Sequence, residues 1–231
     1  MIPVLYQDGQ LLVVDKPAGR LVIPGRGRDE LSLVEELSKE HGRLWVVHRL
    51  DRGTSGALLF ARSAEAHRLL NLAFDRGEPK KRYLALVTGK PPPELLVDVG
   101  LAPARRGRMR PARPGDPRAK ASRTVIRLLE AFPAGSGAGR ALALVEALPE
   151  TGRTHQIRVH LAQAGHPLAF DPDYGVAEPP LGPGGRPLLD RTPLHAEGVE
   201  VRHPGTGRPL LFHAPLAADL VAALAALRAG G

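Results

Sequence analysis

Short apolar runs outnumber helix-forming segments along this chain, and most are neighbours in sequence. A regular alternation of strand and helix would build a parallel sheet. Its absence points to an α+β fold, with a mostly antiparallel mixed β-sheet flanked by helices and loops. Strands are predicted at 11–14, 44–47, 57–61, 83–87, 124–129, 141–145, 194–201 and 209–212. Residues 15–19 close the first of these as a turn, and 124–129 and 141–145 are predicted to pair around a Gly-rich turn. Apolar spacing predicts helices at 31–41, capped near Gly42, and at 64–74, 154–164 and 216–227.

At 231 residues and 43% hydrophobic content the chain can build an interior, as one domain or as two small halves sharing a core. It has no cysteine, which removes disulfides, thiolate zinc sites and thiol nucleophiles together. The opening residues lack a basic start followed by a long apolar core, and no apolar run approaches the roughly 20 residues needed to span a bilayer. The expectation is a cytoplasmic protein with no membrane partner. The net charge is +8, and +7 of it lies in 104–123. There Arg105, Arg106, Arg108, Arg110, Arg113, Arg118, Lys120 and Arg123 face a single acid, Asp116. Such a strip suits phosphate contacts with nucleic acid. Its density of Gly and Pro equally suits a solvated loop that could divide the chain into halves, and an Arg-rich composition also follows from a GC-rich genome.

Two segments carry candidate chemistry. In Val46-Val47-His48-Arg49-Leu50-Asp51-Arg52-Gly53-Thr54-Ser55-Gly56 an apolar run meets charged residues, then glycines and hydroxyls, then another apolar run. This places Asp51 on a tight turn at the end of buried structure, where hydroxyls and N–H groups favour its ionised form. The alternative is a structural turn in which Asp51 only satisfies backbone N–H groups. In Thr151-Gly152-Arg153-Thr154-His155-Gln156-Ile157-Arg158-Val159-His160, helical spacing buries Ile157, Leu161 and Ala164 and puts Arg158 one turn from Thr154 and His155. An arginine beside an apolar core needs an anion, since an unpaired buried charge is costly. That anion is Asp51, a phosphate or another acid.

Other chemistries lack their residues. His155 and His160 do not share a helix face, there is no HExxH, and no catalytic metal is expected. Neither a GxxxxGK[ST] loop nor a strand–GxGxxG–helix is present, and no GxSxG elbow occurs.

The block from His48 to Gly56 resembles the HRLDxxTSG signature of the RluA-type RNA pseudouridine synthases. Four further stretches resemble the same family in order and spacing. They are Asp8 with Leu12-Val13-Val14 and the turn Lys16-Pro17-Ala18-Gly19; Lys81-Arg82-Tyr83-Leu84-Ala85-Leu86-Val87; the segment from Gly152 to Leu161 with Gly165-His166-Pro167 and the loop from Asp171 to Gly175; and Leu194-His195-Ala196. Phe170 departs from the pattern, where the family commonly has Gly before the Asp.

The resemblance implies a single catalytic domain over 1–231 whose two halves meet at a central cleft, without a separate N-terminal S4-type RNA-binding domain. It implies cleavage of the uridine N1–C1′ bond, rotation of the base and bonding of C5 to C1′, with no cofactor and no metal. Asp51 then matches the essential carboxylate, acting as nucleophile on sugar or base or as a proton acceptor. Arg158 matches the arginine that keeps it ionised, Tyr83 the ring that stacks on the base, and Arg49 the residue that fills the vacated space or holds RNA. Arg105, Arg106, Arg108, Arg110 and Lys120 would hold RNA backbone. The expected partner is large-subunit rRNA, tRNA or both, and the expected state is a monomer. The rival reading is a non-catalytic RNA-binding or ribosome-assembly protein on the same scaffold. A third is a carboxylate glycosidase of small nucleosides, which the basic strip disfavours.

Overall fold

The computed structural model describes residues 1–25, 30–134 and 139–230. In chain order the elements begin with β1 (Val4–Gln7), β2 (Leu11–Lys16), α1 (Leu33–His41), β3 (Trp45–Val46), β4 (Ser55–Ala61) and α2 (Ala64–Asp75). They continue with β5 (Lys80–Thr88), β6 (Glu94–Asp98), β7 (Leu101–Pro103), β8 (Met109–Pro111), β9 (Arg123–Phe132) and β10 (Leu142–Pro149). The last are α3 (Gln156–Gln163), β11 (Leu194–Arg202), β12 (Pro209–His213) and α4 (Ala218–Ala229). The expected α+β class is what the chain adopts. The Gly-rich turn expected between β9 and β10 includes 135–138, outside the described residues. No helix among the described residues is long and apolar enough to cross a membrane.

The chain forms two compact units, Met1–Lys81 with Ala196–Pro215, and Arg82–His195 with Leu216–Gly231. The division therefore falls before Arg82, and the basic strip lies wholly inside the second unit. In the first unit the strand order is β1-β2-β4-β11, with β12 on β11 and β3 also on β4. Pairs β1–β2, β2–β4, β3–β4 and β11–β12 are antiparallel. Strand β4 is buried at every position, so it reads as an unbroken apolar run rather than an alternation. Its residues Ala57, Leu59 and Ala61 join Leu11 and Val13 of β2, Ala66 and Leu70 of α2, and Val199 and Val201 of β11 in one core. The helix α2 starts where Ser63 accepts the Ala66 N–H at 3.1 Å. Gly56, second in β4, has φ 111°, and a Cβ there would stand 2.2 Å from the Ala196 carbonyl oxygen. The last glycine of the 46–56 block is thus fixed by backbone approach.

In the second unit the order is β5-β10-β9-β6, antiparallel throughout. One face of this sheet carries Tyr83, Ala85 and Val87 against Ile157 and Leu161 of α3. Leu86, Phe132 and Leu142 pack instead with Leu220, Ala223, Leu224 and Leu227 of α4. Consequently α3 sits deep: every residue from Gln156 to Leu161 is buried.

Within the strip, β7 and β8 form a two-stranded hairpin that pairs Leu101 with Pro111 and Pro103 with Met109. The stretch expected as a loop is therefore partly built. Composition concealed this because Pro at 103 and 111 disfavours strand interiors and is tolerated in a short edge pair.

Candidate active site

Asp51 sits half-buried on a turn closed by the Thr54 N–H donating to the Asp51 carbonyl at 3.0 Å. Beneath this turn lies Lys16, at the end of β2 and 0% exposed. Its ammonium donates to the carbonyls of Thr54 at 2.7 Å, Pro17 at 3.1 Å, and Asp51 and Arg52 at 3.3 Å each. A buried cation is tolerated only with such compensation. The turn at 17–19 is also stitched to the Asp51 turn. The Gly19 N–H donates to the Arg52 carbonyl and Arg52 Nε to the Gly19 carbonyl, each at 2.8 Å. The Asp51 backbone is thereby held from below and from the side. Sequence reasoning placed Lys16 only in a turn, because a lone Lys reads as exposed.

His48 supports the same segment. Its Nε2 accepts the Leu59 N–H of β4 at 3.1 Å, and its ring stacks on Phe74 with centroids 5.0 Å apart. A ring nitrogen that accepts is unprotonated, so the imidazole is neutral with its proton on Nδ1. Burial, with the Lys81 charge second, pushes His48 down to about 3. A histidine whose folded pKa is depressed stabilises the fold above its unfolded value of 6.5. Below that pH the unfolded chain takes a proton that the folded chain refuses until about 3, so stability is lost as pH falls through this window. In urea titrations, His48→Gln should flatten the fall in unfolding free energy between pH 6.5 and 4 by up to about 1.4 kcal/mol per pH unit. An unchanged slope would assign the acid sensitivity to other groups.

Arg49 is exposed and Leu50, its neighbour, is buried. Asp51 and Arg49 belong to the first unit, Tyr83 and Arg158 to the second. Tyr83 is half-buried on β5, opposite Ala147 of β10.

Arg158 has acidic partners within its own unit. Its Nε and Nη2 grip Asp171 at 2.8 and 2.7 Å, and Nη2 also reaches Asp173 at 3.0 Å. The guanidinium lies 4.8 Å from the centre of the Tyr174 ring. Asp173 is shared with Arg108, at 2.9 Å. Tyr174 is anchored twice: its hydroxyl oxygen accepts the Met109 N–H of β8 at 2.8 Å and lies 2.6 Å from His155 Nδ1. Burial raises the Tyr174 pKa. The loop 171–175 is therefore a clamp on Arg158, a role that the resemblance located without revealing.

The helical reading of 154–164 needs correction at its start. His155 has φ 54°, in the left-handed region, and α3 begins only at Gln156. Thr154 thus lies outside the helix and does not stand one turn from Arg158 along it. A non-glycine residue held there costs of order 1–3 kcal/mol, compensated by the surrounding bonds. Gln156 supplies several, accepting from Thr151 Oγ1 at 2.6 Å and the Arg153 N–H at 3.0 Å. His160, 0% exposed, binds Thr124 Oγ1 at 2.8 Å and the Val99 carbonyl at 2.9 Å, and burial lowers its pKa. It is a neutral structural link.

The basic strip divides by partner. Arg110 pairs with Asp116, and Arg108 with Asp173. Arg105, Arg106 and Lys120 are exposed. Arg105 and Arg106 occupy the hairpin tip, where Arg106 takes φ 56°.

Comparisons with known proteins agree with one another. The family model described as RNA pseudouridylate synthase matches residues 10–163. The ribosomal large subunit pseudouridine synthase D of Nitrosomonas europaea is 39% identical over 98% of this chain, which spans 65% of that relative's length. The dual-specificity RNA pseudouridine synthase RluA of Escherichia coli is 36% identical over 92% of each chain. The solved structure of human RNA pseudouridylate synthase domain containing 4 is similar with a TM-score of 0.76, at 25% identity, covering 98% of this chain and 93% of that one.

Proposed function

Because the chain belongs to the RNA pseudouridylate synthase family, we propose that it isomerises uridines in large-subunit rRNA or tRNA to pseudouridine, in the cytoplasm, with Asp51 as the essential carboxylate. The N1–C1′ bond breaks, the base turns over and C5 bonds to C1′ as the C5 proton leaves and N1 gains one, so atoms balance without a cofactor. Tyr83 offers a ring on which an extruded base stacks, and Arg49 and Arg158 serve the substrate as cations. The observation that carries this reading is the Asp51 turn, fixed by a fully buried Lys16 donating to four carbonyls. Such rigidity suits a group that must meet a reacting atom in one geometry. A protein that only bound RNA would gain nothing from it.

The test is pseudouridine formation by the purified protein in unmodified rRNA and tRNA transcripts with EDTA present. More than one product per protein is expected. Binding without product would favour the assembly-protein reading, and released uracil the glycosidase.

Arg105, Arg106 and Lys120 supply backbone contacts in this reading. Replacing all three by alanine should weaken binding uniformly across RNA sequences and reduce the slope of log affinity against log salt by about 2. An unchanged slope would place the RNA elsewhere.

A further inference from the structure

Arg108 and Met109 are consecutive in the basic hairpin, and Asp173 and Tyr174 are consecutive in the loop that clamps Arg158. The two pairs meet through the Arg108–Asp173 ion pair at 2.9 Å and the Met109 N–H to Tyr174 Oη bond at 2.8 Å. Both loop residues also touch Arg158, Asp173 by a 3.0 Å hydrogen bond and Tyr174 by its ring face. We infer that Asp173 and Tyr174 are positioning residues that couple RNA occupancy of the β7–β8 hairpin to the setting of the Arg158 guanidinium. This rests on the proposed RNA substrate.

The direction of the coupling follows from charge. Arg108 and Arg158 share the Asp173 carboxylate. The Arg108 side chain is 45% exposed, so an RNA phosphate can reach it. A phosphate that draws Arg108 away leaves Asp173 wholly to Arg158 and tightens the clamp. Tyr174 keeps the hairpin in register meanwhile, since its bond is to backbone and does not compete with phosphate. Asp171, 1% exposed, holds Arg158 through two bonds in either state. The adjustable partner is thus Asp173, 39% exposed.

Two measurements test this. The first needs no turnover: the Arg158 Nε–H resonance of ¹⁵N-labelled protein is followed while a stem-loop RNA with every uridine replaced by cytidine is added. The resonance is expected to shift on saturation in the unaltered protein and to stay fixed in Arg108→Ala, although the RNA still binds. A bound RNA that leaves the resonance unmoved in the unaltered protein overturns the coupling, whatever the activity proves to be. The second is single-turnover kinetics. Asp173→Asn and Tyr174→Phe should lower the rate constant at saturating RNA by about tenfold or more, with Kd within about twofold. Loss confined to Kd, or to the fraction of active protein, overturns the positioning role. Failure of every protein to make pseudouridine would sink the proposed function and leave the resonance experiment standing.

Discussion

Asp51→Asn is expected to abolish pseudouridine formation, with a loss of about a thousandfold or more in single-turnover rate, while stability and RNA affinity stay close to those of the unaltered protein. The bonds from the Thr54 N–H and from Lys16 Nζ go to the Asp51 backbone carbonyl. Asparagine leaves those backbone bonds in place, keeps the side-chain shape and removes the negative charge. Mass-spectrometric product counts, thermal unfolding and RNA binding on the same preparation separate chemistry from folding. A variant retaining a tenth of the rate would end the case for Asp51 as the essential group.

Lys16→Met should be the most damaging change away from the reacting atoms. Methionine fills a similar volume and supplies no donors. The carbonyls of Pro17 and of buried Thr54 would lose the Lys16 donor, while those of Asp51 and Arg52 would keep the Thr54 and Gly19 N–H groups. A loss of about 3 kcal/mol in urea unfolding is expected, since unsatisfied buried acceptors cost about 1–3 kcal/mol each and relaxation recovers part. The loosened turn should also lower the rate by about a hundredfold in the protein that remains folded. Stability within 1 kcal/mol of the unaltered protein, at full rate, would mean that the ammonium is dispensable.

Much of the fold was legible because the deepest strands are also the most apolar. Expected strands at 57–61 and 11–14 became Ser55–Ala61 and Leu11–Lys16, and the helix at 64–74 became Ala64–Asp75. Strands β1, β6, β7 and β8 carry no such signal. Glu94–Asp98 follows three prolines and has acids at both ends, and Met109–Pro111 lies among arginines, so pairing partners decide both. Asp51 stood out because a carboxylate between apolar runs with glycines after it is a local signal. Its support was illegible: Lys16 is 35 residues away, and nothing in Lys-Pro-Ala-Gly says that the ammonium is buried. Arg158 announced its need for an anion, but finding Asp171 and Asp173 among its partners requires the backbone to reverse after α3. Periodicity puts His155 inside the helix because it is blind to a single left-handed residue.

The interleaved path of the backbone through its two units has a consequence during synthesis. Strand β4 is complete at Ala61, yet its neighbour β11 supplies the first unit only from Ala196 onward. On a translating ribosome that edge waits on the order of ten seconds for its mate. Throughout that interval a strand that is apolar from Gly56 to Ala61, and paired on this side only at Phe60 and Ala61 by β3, stays open to other nascent chains. Trigger-type chaperone dependence and aggregation on slowed translation are therefore properties to look for in this polypeptide.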